Sequence, residues 1–213
     1  MKIYNYISLL LLIWSIPGHS SSLKVVVMDT GLRKPAEFNK LCKNYNTTKE
    51  PNVDFNGHGT NVVGLIAKNA GDSDYCIYNI KAFDVNGSDI IGYLKALKLI
   101  RMIKPDILNI SAGGSSGIPL ERQVIKELLD YGTRVVVAAG NESNNLNKDC
   151  NFYPACYDER IVVVGNKADS SNYGEIVDFV IDGNNKEGFG VTLSGSSQST
   201  AIYTGRLIKE LSR

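Results

Sequence analysis

After a strongly apolar start, the chain alternates short unbroken apolar runs with longer stretches where apolar residues recur every three or four positions. Leu23-Lys24-Val25-Val26-Val27-Met28 predicts a short buried strand, ended by Asp29-Thr30-Gly31. A polar, irregular region follows to about Asn56. Helical spacing takes over at residues 58–69, where Val62, Val63, Ile66 and Ala67 share one face. Residues 76–83 predict a strand and residues 89–103 an amphipathic helix. Residues 107–110 predict a further strand, ending in Ser111-Ala112-Gly113-Gly114. A helix over 120–129 and strands over 134–139 and 161–164 come next. Residues 176–181 and 191–193 read as extended, and a helix runs from Gln198 to Leu211.

Continuous Val/Ile/Ala strands separated by amphipathic helices predict an α/β fold, with a mostly parallel sheet covered by helices on both faces. Such sheets collect functional groups at the carboxyl ends of their strands. Asp29 ends the first predicted strand, Ser111-Ala112-Gly113 the third and Gly140-Asn141 the fourth. No linker or domain boundary interrupts the pattern, so residues 23–213 are expected to form one domain.

Composition narrows the partners. The net charge is +1 with acids and bases interspersed, so no basic surface is available to track a phosphate backbone and nucleic acid is not expected. Met1-Lys2, an apolar run over 7–16 and the small polar run Pro17-Gly18-His19-Ser20-Ser21-Ser22 have the layout of a secretory signal peptide. Cleavage after Ser20 or after Ser22 fits equally; an uncleaved anchor is the alternative reading. Export places the mature chain outside the cytoplasm, secreted or periplasmic, with no stable membrane association after cleavage. It also makes Cys42, Cys76, Cys150 and Cys156 a disulfide set rather than a zinc site. Of the three pairings, Cys150 with Cys156 across a short loop is the natural one, leaving Cys42 with Cys76.

Three segments carry the chemistry: Val27-Met28-Asp29-Thr30-Gly31, Asn56-Gly57-His58-Gly59-Thr60 and Gly195-Ser196-Ser197. Each has a bland reading, as a turn cap, a helix start and an N-cap respectively. Together they supply an acid, a base and a nucleophile, and Asn141 after Ala138-Ala139-Gly140 adds an amide donor. His19 leaves with the leader, so His58 is the only histidine available as base.

With these segments in order, the chain resembles the subtilisin-like serine proteases. The three signatures are matched by residues 27–31, by His58-Gly59-Thr60-Asn61-Val62-Val63-Gly64 and by Gly195-Ser196-Ser197-Gln198-Ser199-Thr200-Ala201. Asn109-Ile110-Ser111-Ala112-Gly113-Gly114 and Val137-Ala138-Ala139-Gly140-Asn141-Glu142 fit two further family features, so the likeness covers nearly everything after Ser22. It implies the subtilisin-like three-layer sandwich and an endopeptidase acting through an acyl-enzyme. Ser197 would attack, His58 would carry the proton and Asp29 would hold the imidazole, with Asn141 and the Ser197 N–H binding the oxyanion. It further implies that Ser111-Ala112-Gly113 pairs with an extended peptide substrate, that Gly113 and Gly114 leave room for the residue before the cut, and that Phe152 lies near that pocket's floor. Phe152 as ordinary packing is the alternative, and a cis bond is expected at Tyr153-Pro154.

The chain departs from the family in several places. Asn61 stands where the family motif has a second His, and Gln198 and Ala201 replace the usual Met and Pro after the nucleophile. The family's Ala-Pro-Gly turn reads Ile181-Asp182-Gly183. The first catalytic strand begins almost directly after the leader, where many secreted relatives carry a propeptide. Asp54, Asp72, Asp74 and Asp84 are candidates for a calcium site but are expected to be solvated loop acids, so no obligatory metal or cofactor is expected. Two disulfides would replace part of that stabilisation, at roughly 2–4 kcal/mol each. The chain is expected to act as a monomer; the rival to an active enzyme is a catalytically weak or inactive binding or scaffold protein of the same fold.

Overall fold

A computed structural model of the protein describes residues 22–85, 87 and 89–213. The expected leader, apart from Ser22, lies outside the described residues. The strands are β1 (Leu23–Asp29), β2 (Leu41–Asn46), β3 (Tyr75–Lys81), β4 (Ile107–Ile110), β5 (Arg134–Ala138), β6 (Val162–Asn166), β7 (Phe179–Ile181), β8 (Lys186–Gly188) and β9 (Val191–Leu193). The helices are α1 (His58–Ala70), α2 (Ile90–Ile103), α3 (Pro119–Tyr131) and α4 (Ser196–Leu211). β1–β7 form one sheet in the order β2-β3-β1-β4-β5-β6-β7, parallel throughout, and β8 and β9 form a separate antiparallel hairpin.

Alternation along the strands decides which helices cover which face. Val25 and Val27 of β1 point to the side where α1 and α4 pack, with Val62, Ile66, Ala201 and Ile208. Val26 and Met28 point the other way, into a core shared with Leu97 and Ile100 of α2 and Val124 and Leu128 of α3. Both faces are therefore dry, which is why these strands carry no polar alternation. The result is the α/β three-layer sandwich expected from the chain's pattern.

Two strands were not foreseen, β2 and β8 (Lys186–Gly188), the latter pairing with β9. Residues 41–46, expected to be irregular, form β2 at the sheet edge, so Ser111 follows the fourth strand and Gly140 the fifth. Strand β1 lies between β3 and β4; from the edge strand β2 the chain reaches β3 through α1 on one face, then passes over β1 from β3 to β4 through α2 on the other. Such a reversal opens a crevice at the carboxyl ends of the strands, and Asp29 stands at its lip. Both disulfides form, Cys42–Cys76 tying β2 to β3 and Cys150–Cys156 closing a short loop. Among the described residues no helix is long and apolar enough to cross a membrane.

Candidate active site

Asp29 is the last residue of β1 and is 1% exposed. Its Oδ1 accepts from Thr30 N at 2.7 Å and lies 2.8 Å from Nδ1 of His58, the first residue of α1. That approach is possible because Gly59 has no side chain: a Cβ there would fall 2.4 Å from the Gly31 carbonyl oxygen. The Asp29 carboxylate is the largest influence on His58 and holds its pKa above the ordinary 6.5; burial opposes this, while the Asp29 hydrogen bond and the more distant Asp54 charge add to it.

Asp54 corrects the expectation of a solvated loop acid. It is 1% exposed, and its Oδ1 accepts from Thr30 Oγ1 at 2.9 Å and Gly57 N at 2.7 Å. Its Oδ2 accepts from Thr60 N at 2.9 Å and Thr60 Oγ1 at 2.6 Å. Thr30 Oγ1 in turn accepts from Gly59 N at 2.8 Å. Asp54 thus fastens the end of β1 to the first turn of α1 and fixes His58 against Asp29. Sequence reasoning missed this role; the one signal was an acid just ahead of a helix start.

Ser197 is the second residue of α4, which begins at Ser196 rather than at Gln198. Gly195 precedes it at φ 149°, a conformation that favours glycine, and no side chain caps the helix. The N-cap reading of Ser197 is therefore not what the chain adopts. Its hydroxyl donates to the Ser111 carbonyl at 2.8 Å instead of to His58. The Ser197 amide belongs to the first helical turn, which has no partner four residues back, so it sits where negative charge is favoured.

The Ser111 segment is anchored from behind. Ser111 Oγ accepts from Asn109 Nδ2 at 3.0 Å and donates to Ser197 O at 3.2 Å, while Asn109 Oδ1 accepts from Thr204 Oγ1 of α4 at 2.8 Å. Asn141 Oδ1 accepts from Ser196 N at 2.9 Å, which brings the exposed Asn141 amide beside the helix start. Ala112, Gly113 and Gly114 run on from Ser111, and Gly114 exchanges both backbone hydrogen bonds with Tyr153. Phe152 is buried in the core on the α2/α3 face, its ring edge against Gly113 and Gly140. The Tyr153-Pro154 bond is cis. No cluster of three or more His, Cys, Asp or Glu side chains suited to a metal occurs among the described residues.

Comparison with known proteins gives one family. The Subtilase family matches residues 20–210. The major intracellular serine protease of Bacillus subtilis (strain 168) is 29% identical over 196 residues, covering 81% of this chain and 61% of that protein. The minor extracellular protease Epr of the same organism is 30% identical, covering 88% of this chain and 32% of its own length. The extracellular serine proteinase of Thermus sp. (strain Rt41A) is also 30% identical, over 84% of this chain and 48% of its own. The chain thus spans roughly a third to three-fifths of these relatives, which include proteins named for either side of the cell boundary. A crystal structure of a cold adapted subtilisin-like serine proteinase superposes with a TM-score of 0.73 at 22% identity, covering 88% of this chain and 74% of that one.

Proposed function

The chain belongs to the subtilase family, and we propose that it is a serine endopeptidase working through Asp29, His58 and Ser197. The observation that carries the proposal is the 2.8 Å contact between His58 Nδ1 and Asp29 Oδ1, which leaves Nε2 as the working nitrogen. In the scheme, the Ser197 hydroxyl swings from the Ser111 carbonyl toward His58. Its oxygen bonds to the substrate carbonyl carbon as its proton passes to His58 Nε2. Asp29 stabilises the imidazolium, and the Asn141 amide and the Ser197 N–H receive the negative oxygen. His58 then protonates the leaving amine as the C–N bond breaks, and water, deprotonated by the same histidine, releases the acyl group from Ser197. The substrate is an extended polypeptide paired along Ser111-Ala112-Gly113.

The wider setting is part of the same reading. Residues 1–22 act as a secretory leader and residues 23–213 as the peptidase domain, acting as a monomer outside the cytoplasm. The two disulfides support an oxidising compartment. One observation favours the scaffold alternative: the Ser197 hydroxyl is bonded to Ser111 O and not to the imidazole. A fluorophosphonate probe decides between the two. Covalent labelling of Ser197 that disappears in a folded His58→Ala variant supports catalysis; a chain that never labels, or labels equally well without His58, refutes the assignment.

A further inference from the structure

A cavity of about 190 Å³ opens beside Ala112, Gly113 and Gly114, and one wall of it carries a carboxyl group. Phe83, Ile118 and Ala112 give it apolar sides, and Glu121 lines it from the first turn of α3. Glu121 is 3% exposed. Its Oε1 accepts from the Tyr93 hydroxyl and its Oε2 from the Tyr157 hydroxyl at 2.7 Å. Tyr93 comes from α2 and Tyr157 from the loop after Pro154, so three separate parts of the chain converge on one carboxyl group.

No Lys, Arg or His pairs with Glu121 among the described residues. The nearby Arg122 guanidinium lies instead over the Tyr157 ring, 5.5 Å from its centre. A buried carboxylate without a cation carries a desolvation cost that two phenol donors and a helix N-terminus only partly offset. Each carboxylate oxygen still has acceptor capacity beyond its phenol. The shape fits the same deficit. Apolar walls leading to an acid match a long aliphatic stem with a charged end, the amphipathic form of lysine and arginine.

The position ties the cavity to a substrate. Ser111 O touches the Ser197 hydroxyl, so the edge from Ser111 to Gly114 leads away from the reacting centre. A peptide paired along that edge sends alternate side chains to the face where α2 and α3 pack. We propose that this cavity is a subsite for a lysine or arginine side chain of the bound peptide, upstream of the cut, with Glu121 as the group that selects it. The inference rests on the strand-pairing part of the proposed function and names the class of polypeptide it takes.

The test is binding to the full chain carrying Ser197→Ala, so that nothing is consumed. Fluorescein-labelled peptides carry lysine, norleucine or glutamate at each upstream position in turn, and fluorescence anisotropy reads their affinity. At one position lysine is expected to bind about tenfold tighter than norleucine, which has the same stem without the charge, with glutamate weakest. Glu121→Gln is expected to erase the lysine advantage, and Glu121→Asp to keep part of it. Equal affinity at every position, or an advantage that survives Glu121→Gln, overturns the subsite; the norleucine comparison stands even if a variant fails to fold. Failure of all peptides to bind also overturns it, while the fluorophosphonate reaction of the unsubstituted chain reports separately on the chemistry of Ser197.

Discussion

Gln198 Nε2 donates to Asn61 Oδ1 across 2.9 Å, and neither side chain reaches solvent. Asn61 Nδ2 is used as well, donating to Lys186 O at 2.8 Å and Val191 O at 2.7 Å. One residue follows Ser197 and the other follows His58 by three, so the pair joins the starts of α4 and α1 and ties both to the β8–β9 hairpin. These are two of the positions where the chain departs from the pattern of the family it resembles. The departures are partners, and each makes sense of the other.

That coupling is measurable. Gln198→Met leaves a buried amide oxygen without its donor and is expected to cost about 1–3 kcal/mol in urea denaturation. In a double-mutant cycle with Asn61→Leu, the two changes are expected to depart from additivity by more than about 0.5 kcal/mol. Simple additivity would show that the contact contributes nothing specific.

The pH dependence follows from the raised pKa of His58. Only the neutral imidazole can accept the Ser197 proton, and its protonated form gains as pH falls through that raised value. Activity is therefore expected to be lost on the acid side with a midpoint above 6.5, the ordinary histidine value. Asp29→Asn removes the largest cause of the shift, so the acid limb moves to lower pH while kcat falls by about 10⁴-fold. A limb unmoved by this substitution would mean that another group titrates.

Asp54→Asn replaces an acceptor of four hydrogen bonds by an amide whose NH2 must face donors. The expected loss is about 2–3 kcal/mol by urea denaturation, together with slower labelling of Ser197. A change within about 0.5 kcal/mol would place Asp54 outside the machinery that positions His58.

Gly59→Ala tests the close approach of α1 to β1. The new methyl would sit 2.4 Å from Gly31 O and 3.1 Å from Asp29 Oδ1, so α1 must retreat and lengthen the His58–Asp29 contact. Circular dichroism should still report a folded chain, while probe labelling drops by about 100-fold or more. Labelling at the unsubstituted rate would show that the Asp29–His58 pair tolerates the shift.

What the sequence made legible was what needs both faces of a sheet buried. Val25, Val26 and Val27 have no polar alternation because each face of β1 carries a helix pair, and an unbroken run is easily read. Strand β2 was invisible for the opposite reason. Leu41-Cys42-Lys43-Asn44-Tyr45-Asn46 is polar, lies at the sheet edge and needs only β3 beside it. At the candidate site, Asp29, His58 and Ser197 stand out in the sequence because each lies in a short local motif. The burial of Asp54 and Glu121 does not, because their partners come from distant segments and an acid before or early in a helix usually faces solvent. The helix start at Ser196 depends on Gly195, a backbone effect that apolar spacing does not register.

The central claim is that Ser197 becomes covalently acylated with His58 as its base. Intact-mass spectrometry of the full chain, quenched within milliseconds of mixing with a p-nitrophenyl ester, reads this directly. The account predicts one acyl group per chain on Ser197, formed in a burst, and absent from folded Ser197→Ala and His58→Ala variants. Ester turnover with no acylated Ser197, or acylation unchanged without His58, would contradict it.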